Sequence, residues 1–560
     1  MKFTFLSKAH YCRVLCVTVL GAFLLAPNAH AFRFTQDEIK GFIDTTVSSG
    51  LMIRVARKKH GLIGIADGGT AYAIGQAGDL NYSKGNVVSA ANEFLSEAGL
   101  SYHNFNAFVR ASYFVDPVNF YNKSLTAYER KNAGQAFQLL DAYVEGKFEP
   151  AGHALDVRVG KQVLNWGESL FIPGGLSVTN AADLSKLMLP GAEVRDALLP
   201  SPMIMDSYQL TDQLSLSNYY IFKFDRMRTS VCGTYFATDN ATCEDGNGDI
   251  TGGYGFFPEG TPGWVSHRVS GNRPSNHGQY GAALRYLAAE LNDTEFGFYF
   301  MNYHNHAGSG SAVASLAGDQ PFYRVDYVEN LQSYGVSVST DVAGVALQSE
   351  YSYRPRYPLQ IEINDIFAAA QYFPGAGLPA AQAPGDVVRG YREMPVQQLQ
   401  VNMTKAFGHE NPFGAQEWNV AAEAAMIYIS HFPKQSDLRF EAPGTDLAAY
   451  GGVGSPDIQT SGWADRLSWG YVLATSTTYQ QVVRNVDLMP RIAFSQDVQG
   501  TTPAPLSQFV ADRLSVNVGM TAKYLEKWSV DLGYTKFAGA EDRNALGDRD
   551  FVNLTVKHWF

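Results

Sequence analysis

Near its C-terminus the chain alternates apolar and polar residues one for one. Leu514, Val516, Val518, Met520, Ala522 and Tyr524 interleave with Ser515, Asn517, Gly519, Thr521 and Lys523. Trp528, Val530, Leu532 and Tyr534 follow the same rule, as do Val552, Leu554 and Val556 before Phe560. A β-strand sends successive side chains to opposite faces, so strict period two over about ten residues predicts a transmembrane β-strand. One such segment would suit a β-sandwich equally well, whereas three in succession ending on a terminal aromatic point to a membrane barrel. Val552, Leu554, Val556 and Phe560 are read as its assembly signal.

The period recurs upstream in Gly41 to Arg57, Phe105 to Phe114, Ala154 to Lys161, Leu214 to Phe224, Tyr280 to Leu287, Phe296 to Tyr303, Tyr334 to Ser339, Val345 to Tyr353, Leu399 to Phe407, Trp418 to Ile429 and Leu488 to Val498. Weaker segments near Phe94, Tyr143, Met205 and Tyr471 bring the expectation to about 18 strands, within a range of 14–18. Connection lengths alternate in phase with this count. Leu210 to Gln213, Ala288 to Asp293, Asp341 to Gly344 and Tyr524 to Trp528 are short, while Gly160 to Pro202, Phe224 to Gly278, Pro355 to Pro395 and Phe537 to Asp550 are long. Short periplasmic turns and long external loops give this rhythm and place both termini in the periplasm. Each unpaired backbone group in hydrocarbon costs several kcal/mol, so the sheet must close. The expected fold is therefore all-β, a closed antiparallel barrel over 32–560. Arg54, Arg110, Arg158, Arg285, Glu350, Lys523 and Asp531 fall on the polar face, where they are read as lumen charges in a salt-bridged wall.

Composition agrees with this fold. The 560 residues are 46% hydrophobic and 13% aromatic but only 17% charged, against about a quarter in soluble domains. Mean hydropathy is only -0.15, so the apolar residues are dispersed, which excludes a helical membrane bundle. A net charge of -11 gives no reason to expect nucleic acid. Lys2, Lys8 and Arg13 precede the apolar run Val14 to Ala26, and Ala29-His30-Ala31 forms a cleavage pattern, so 1–31 reads as a signal peptide of a Gram-negative exported protein. Its removal leaves Cys232 and Cys243, which are expected to form a disulfide in the long external loop 225–277.

Two insertions, 160–202 and 355–395, look structured and are expected to plug or cap the lumen. Asn180 is read as the cap of a helix from Ala181 to Met188, with a second from Ala192 to Leu198, and Pro358 to Phe373 carries another helical stretch. Signs of chemistry are weak. Asp245, Asn247 and Asp249 open like a calcium loop, but Ile250 and Phe256 replace its required Gly and Glu. His304 and His306 read as interfacial residues rather than metal ligands. G-x-S-x-G, H-E-x-x-H, C-x-x-C and phosphate-loop motifs do not occur, so no catalytic residue, metal or cofactor is expected and the chain is not read as an enzyme.

The run GKQVLNWGESLFIPGG at 160–175, with LPGAEVRDALLPSP at 189–202, GQYGAALRY at 278–286, YSYRP at 351–355 and DRDFVNLTVKHWF at the end, resembles a proteobacterial family of outer-membrane β-barrels of unknown function. The resemblance covers the mature chain. It implies handling of hydrophobic, lipid-, steroid- or aromatic-like small molecules in outer-membrane lipid, alongside a periplasmic partner and an inner-membrane transporter of the resistance-nodulation-division type. It brings no established site residues. From composition and placement, the candidate gate is Trp166 and Phe171 as apolar contacts, Glu168 as a polar latch and Pro173, Gly174 and Gly175 as a hinge. A polar-solute porin, a docking barrel without transport and an outer-membrane hydrolase are the competing readings.

Overall fold

A computed structural model describes residues 32–560 except 65–66, 72–76, 193–196, 239–242, 244–249, 252–264, 317–318, 374–376 and 444–461. The expected signal peptide, the Asp245 to Asp249 run and most of the second expected helix, 192–198, lie outside the described residues.

Eighteen antiparallel strands form one closed barrel. They are β1 Ile39–Arg54, β2 Asn92–Tyr102, β3 Phe105–Val115, β4 Gln135–Phe148, β5 Leu155–Gln162, β6 Ser201–Thr211, β7 Leu214–Ile221, β8 Gln279–Ala288 and β9 Thr294–Tyr303. The ring continues with β10 Leu331–Val342, β11 Val345–Gln360, β12 Tyr391–Phe407, β13 Glu417–Ile429, β14 Leu467–Val483, β15 Val486–Gln499, β16 Leu514–Tyr524, β17 Trp528–Ala538 and β18 Phe551–Trp559. Consecutive strands pair throughout, and β18 closes on β1 with Trp559 opposite Thr46 and Phe551 opposite Arg54. The terminal residue completes the seam: Phe560 N–H donates to the Thr45 carbonyl at 2.9 Å. A short strand, Phe32–Gln36, folds back on the periplasmic end of β1.

The period-two pattern sorts side chains as expected. Val518, Met520, Leu532 and Leu554 are exposed on the outer face, as are Leu399, Val401 and Met403 of β12, while Gln398, Gln400 and Asn402 between the latter are buried inside. An apolar exterior, a polar interior and closed edges define a barrel of the bacterial outer membrane.

The insertions are less helical than expected. β5 runs to Gln162 and β6 begins at Ser201, and between them the expected helix 181–188 shrinks to one turn, Leu184–Leu187. Asn180 does not cap it; its side chain accepts from Leu164 N–H at 2.8 Å and donates to the Leu199 carbonyl at 3.0 Å, tying the ends of the insertion together. At 355–395 the strands extend further than read, leaving 361–390 as the insertion. Its helix, Ile363–Ala370, is buried from Asn364 onward against wall residues Val396, Ile427 and Ile429. Arg439 bonds Asp365 beside it.

Over the β1–β18 seam the external loops lock around a buried charge cluster. Arg54 pairs with Asp79 at 2.6 Å and Asp548 at 3.0 Å, and Arg549 also pairs with Asp79. Both guanidinium groups lie 5.6 Å from the ring centre of Tyr235. The expected disulfide, Cys232 to Cys243, is formed in the same loop as Tyr235.

Candidate functional site: a segment folded across the lumen

The insertion after β5 enters the barrel instead of projecting from it. β13 lies eight places beyond β5 in the ring of eighteen, almost diametrically opposite, yet it holds this insertion. The entry is anchored by Trp166, which is 3% exposed and whose ring packs 5.0 Å from Tyr219 on β7 and 5.9 Å from Tyr299 on β9. Leu176, fully buried, rests on Gly335 of β10, where a Cβ would collide with it. Glycine there lets the segment lie flat on the wall.

Beyond Trp166 the segment buries Ile172 and Leu176, and wall side chains satisfy its backbone. The Glu350 carboxylate on β11 accepts from the N–H of Glu168 at 2.6 Å and of Leu176 at 3.0 Å. Glu423 on β13 accepts from the N–H groups of Leu170, Phe171 and Ile172 at 3.1, 2.6 and 2.8 Å. Gln398 accepts from Gly175 N–H at 3.0 Å and donates to the Pro173 carbonyl at 3.1 Å, Gln400 donates to the Ile172 carbonyl at 2.8 Å, and Asn402 donates to the Glu168 carbonyl. Hydrogen bonds to a charged acceptor are worth about 1.5–3 kcal/mol each. Five of them converge on two carboxylates at mid-barrel.

Each expected gate residue now has a place. Trp166 is an anchor packed away from open space, while Phe171 and its neighbour Leu170 are 45% and 37% exposed. The Glu168 carboxylate faces Ser337, Arg285 and Glu295. Pro173, Gly174 and Gly175 form a clamped turn: both glycines have positive φ, 101° and 61°, and a Cβ on Gly175 would strike Glu350 Oε1. His304 and His306 are not interfacial but lie in the outer loops, His304 buried and His306 half-buried. His304 Nε2 lies 2.8 Å from the His277 carbonyl, and the His306 ring stacks on Phe224.

The lumen charges divide into two kinds. Arg110–Asp141 at 2.8 Å, Arg158–Glu145 at 2.8 Å, Arg285–Glu295 at 3.7 Å and Arg491–Asp531 are ion pairs along the wall, as expected. Glu350 and Glu423 have no ion-pair partner among the described residues and hold the segment instead. Glu350 was visible in the sequence as a lumen charge, but its task was not. Glu423 was missed, although it is the lone charge in the run Asn419-Val-Ala-Ala-Glu-Ala-Ala-Met426 and faces inward. Gln398, Gln400 and Asn402 alternate on the inner face of β12 and carried no separate signal.

Open space lies above and below. Toward the external mouth a cavity of about 1020 Å³ is bounded by β3, β4, the Leu184–Leu187 turn and the loop after β7. At the periplasmic end a second, of about 580 Å³, is lined by Phe42, Phe108 and Tyr143 among others.

A closed, polar-lined barrel with an inserted segment bonded to its inner wall defines the class: an outer-membrane β-barrel. The chain belongs to the family described as protein of unknown function (DUF1302), which matches residues 13–560. Among curated proteins none matches. Several solved structures are similar to the chain at low identity. OccAB1 of Acinetobacter baumannii is 10% identical, with TM-score 0.43 over 95% of this chain and 99% of its own. OccK2 (OpdF) of Pseudomonas aeruginosa, solved in complex with glucuronate, is 10% identical with TM-score 0.39 over 93% and 98%. OmpF of Salmonella typhi, solved with daunomycin, is 9% identical with TM-score 0.39 over 94% and 100%.

Proposed function

We propose that the protein is an outer-membrane channel for small hydrophobic or amphipathic molecules and that the Trp166 to Leu176 segment is its selective constriction. One observation carries this reading. Leu170 and Phe171 are held by their own N–H groups on Glu423, yet their side chains stand exposed inside the barrel. An apolar group left in a wet lumen gains about 0.8 kcal/mol per CH₂ when a ligand covers it. Two adjacent contacts of modest strength give entry without trapping, which conduction requires. Phe42, Phe108 and Tyr143 at the periplasmic end offer a second weak apolar station. The resemblance extends the proposal to a periplasmic partner and an inner-membrane transporter of the resistance-nodulation-division type, for which the Phe32–Gln36 hairpin beyond the rim is the offered contact.

The ion-paired wall favours one other reading, a polar-solute porin. Liposomes containing the purified protein separate the two. Replacing Leu170 and Phe171 together with Ala is expected to lower the flux of a fluorescent fatty-acid analogue about fivefold or more, and to leave arabinose-driven swelling unchanged. Unchanged fatty-acid flux with rapid swelling would establish the porin instead.

A further inference from the structure

The external cavity is lined by a cation that no charge among the described residues balances. Lys186, on the Leu184–Leu187 turn, is only 9% exposed, and its Nζ has no hydrogen-bond or ion-pair partner among the described residues. The carboxylates that line the same cavity are engaged elsewhere. Asp183 accepts from Ser185 at 2.5 Å and pairs with Arg228 at 3.6 Å, and Asp225 pairs with Lys223 at 2.9 Å. Arg268 and Arg273 also line the cavity and have no ion pair among the described residues. An ammonium withdrawn from water without a counter-charge is unfavourable, and a mobile anion entering from the mouth would relieve it. Low-dielectric walls with an excess of one sign of charge concentrate such an ion.

We propose that this cavity is an anion-binding site centred on the Lys186 ammonium, with Arg268 lining the same cavity, and that it receives the carboxylate or phosphate head group of an amphipathic molecule before the apolar part meets Leu170 and Phe171. The choice of an amphipathic ligand rests on the channel reading above. The anion site itself rests only on the cavity and its cations.

The test is titration calorimetry on the full-length protein in amphipol, with decanoate, decyl phosphate, decanol and acetate as probes. Decanoate or decyl phosphate is expected to bind about tenfold more weakly to Lys186→Met, to within about threefold of the wild type for Lys186→Arg, and decanol is expected to be indifferent to both substitutions. The tighter of the two anions identifies the head group. Should Lys186→Met fail to assemble, Arg268→Gln provides the same comparison, with a weakening of about threefold. Equal affinity of wild type and variants for both anions would overturn the site. If acetate binds as tightly as decanoate while Lys186 dependence persists, the anion site stands and the amphipathic reading fails.

Discussion

The two insertions that meet inside the barrel are held by opposite means. The 361–390 insertion packs a helix whose Ile366, Phe367, Ala368 and Ala369 are almost fully buried, and it seats on apolar wall residues. The Trp166 to Leu176 segment offers mostly backbone, and Glu350, Glu423, Gln398, Gln400 and Asn402 grip it group by group. Close packing is lost all at once, because a cavity costs whatever its lining cannot reclaim. Hydrogen bonds can be lost singly, each freed group then finding water or a ligand group. The 361–390 insertion, here the cap, is therefore built for permanence and the segment for adjustment. Ile172 joins them, with its N–H on Glu423 and its side chain in the apolar cluster under the helix.

The strongest challenge to this contrast is Phe367→Ala. It should cost the cap about 3–5 kcal/mol and expose 361–390 to limited proteolysis, while hydrogen exchange at Glu168 to Leu176 stays protected. Glu423→Ala removes the acceptor of three N–H groups and should loosen the segment by about 3 kcal/mol. The readout is fast exchange at Leu170 to Ile172 and larger planar-bilayer conductance with the cap unchanged, and Glu423→Gln should fall between the two. Gly175→Ala acts on the same grip from the other side. With φ at 61° and no room beside Glu350, it should cost about 2 kcal/mol and raise conductance less than Glu423→Ala does. If Phe367→Ala opens the segment as much as Glu423→Ala, the two insertions form one unit and the distinction collapses.

The smallest expected effect concerns pH. Glu362 caps the helix by accepting from Asp365 N–H at 2.7 Å, and burial, then the neighbouring Asp365, push its carboxyl up to about 7. An acid whose folded value is raised holds its proton more tightly in the folded state. The cap is therefore most stable below about 4.5 and weakens as pH rises from there to about 7. Hydrogen exchange of Ile363–Ala370, corrected for intrinsic rates, should be faster at pH 8 than at pH 5, and the Leu170 to Ile172 amides serve as the comparison. Glu362→Gln should abolish the difference.

The barrel could be read from the chain because its rule is local. Val518 and Met520 alternate with Asn517 and Gly519 whatever lies elsewhere, and the short and long connections keep phase from Leu210 to Trp528. The disulfide followed from two cysteines left in an exported chain, and the structure forms it. The insertions were less readable, since the helix expected at 181–188 competes with tertiary contacts. Asn180 bonds Leu164 and Leu199 instead of capping, and one turn remains. Within the site, the W-G-E-S and I-P-G-G run lies against the inner wall, where Trp166 is an anchor and Pro173 to Gly175 a clamped turn.

Period two along the strands, with the rhythm of the connections, was enough to expect about eighteen crossings, their inward and outward faces and the closure of the sheet, because bilayer hydrocarbon tolerates no unpaired edge. The meeting of Glu423 with the N–H groups of residues 170–172, some 250 positions earlier in the chain, obeys no such period. It exists because closing the ring brings β13 opposite the loop that leaves β5, and because a polar backbone folded into a lumen must find acceptors on whichever wall it reaches.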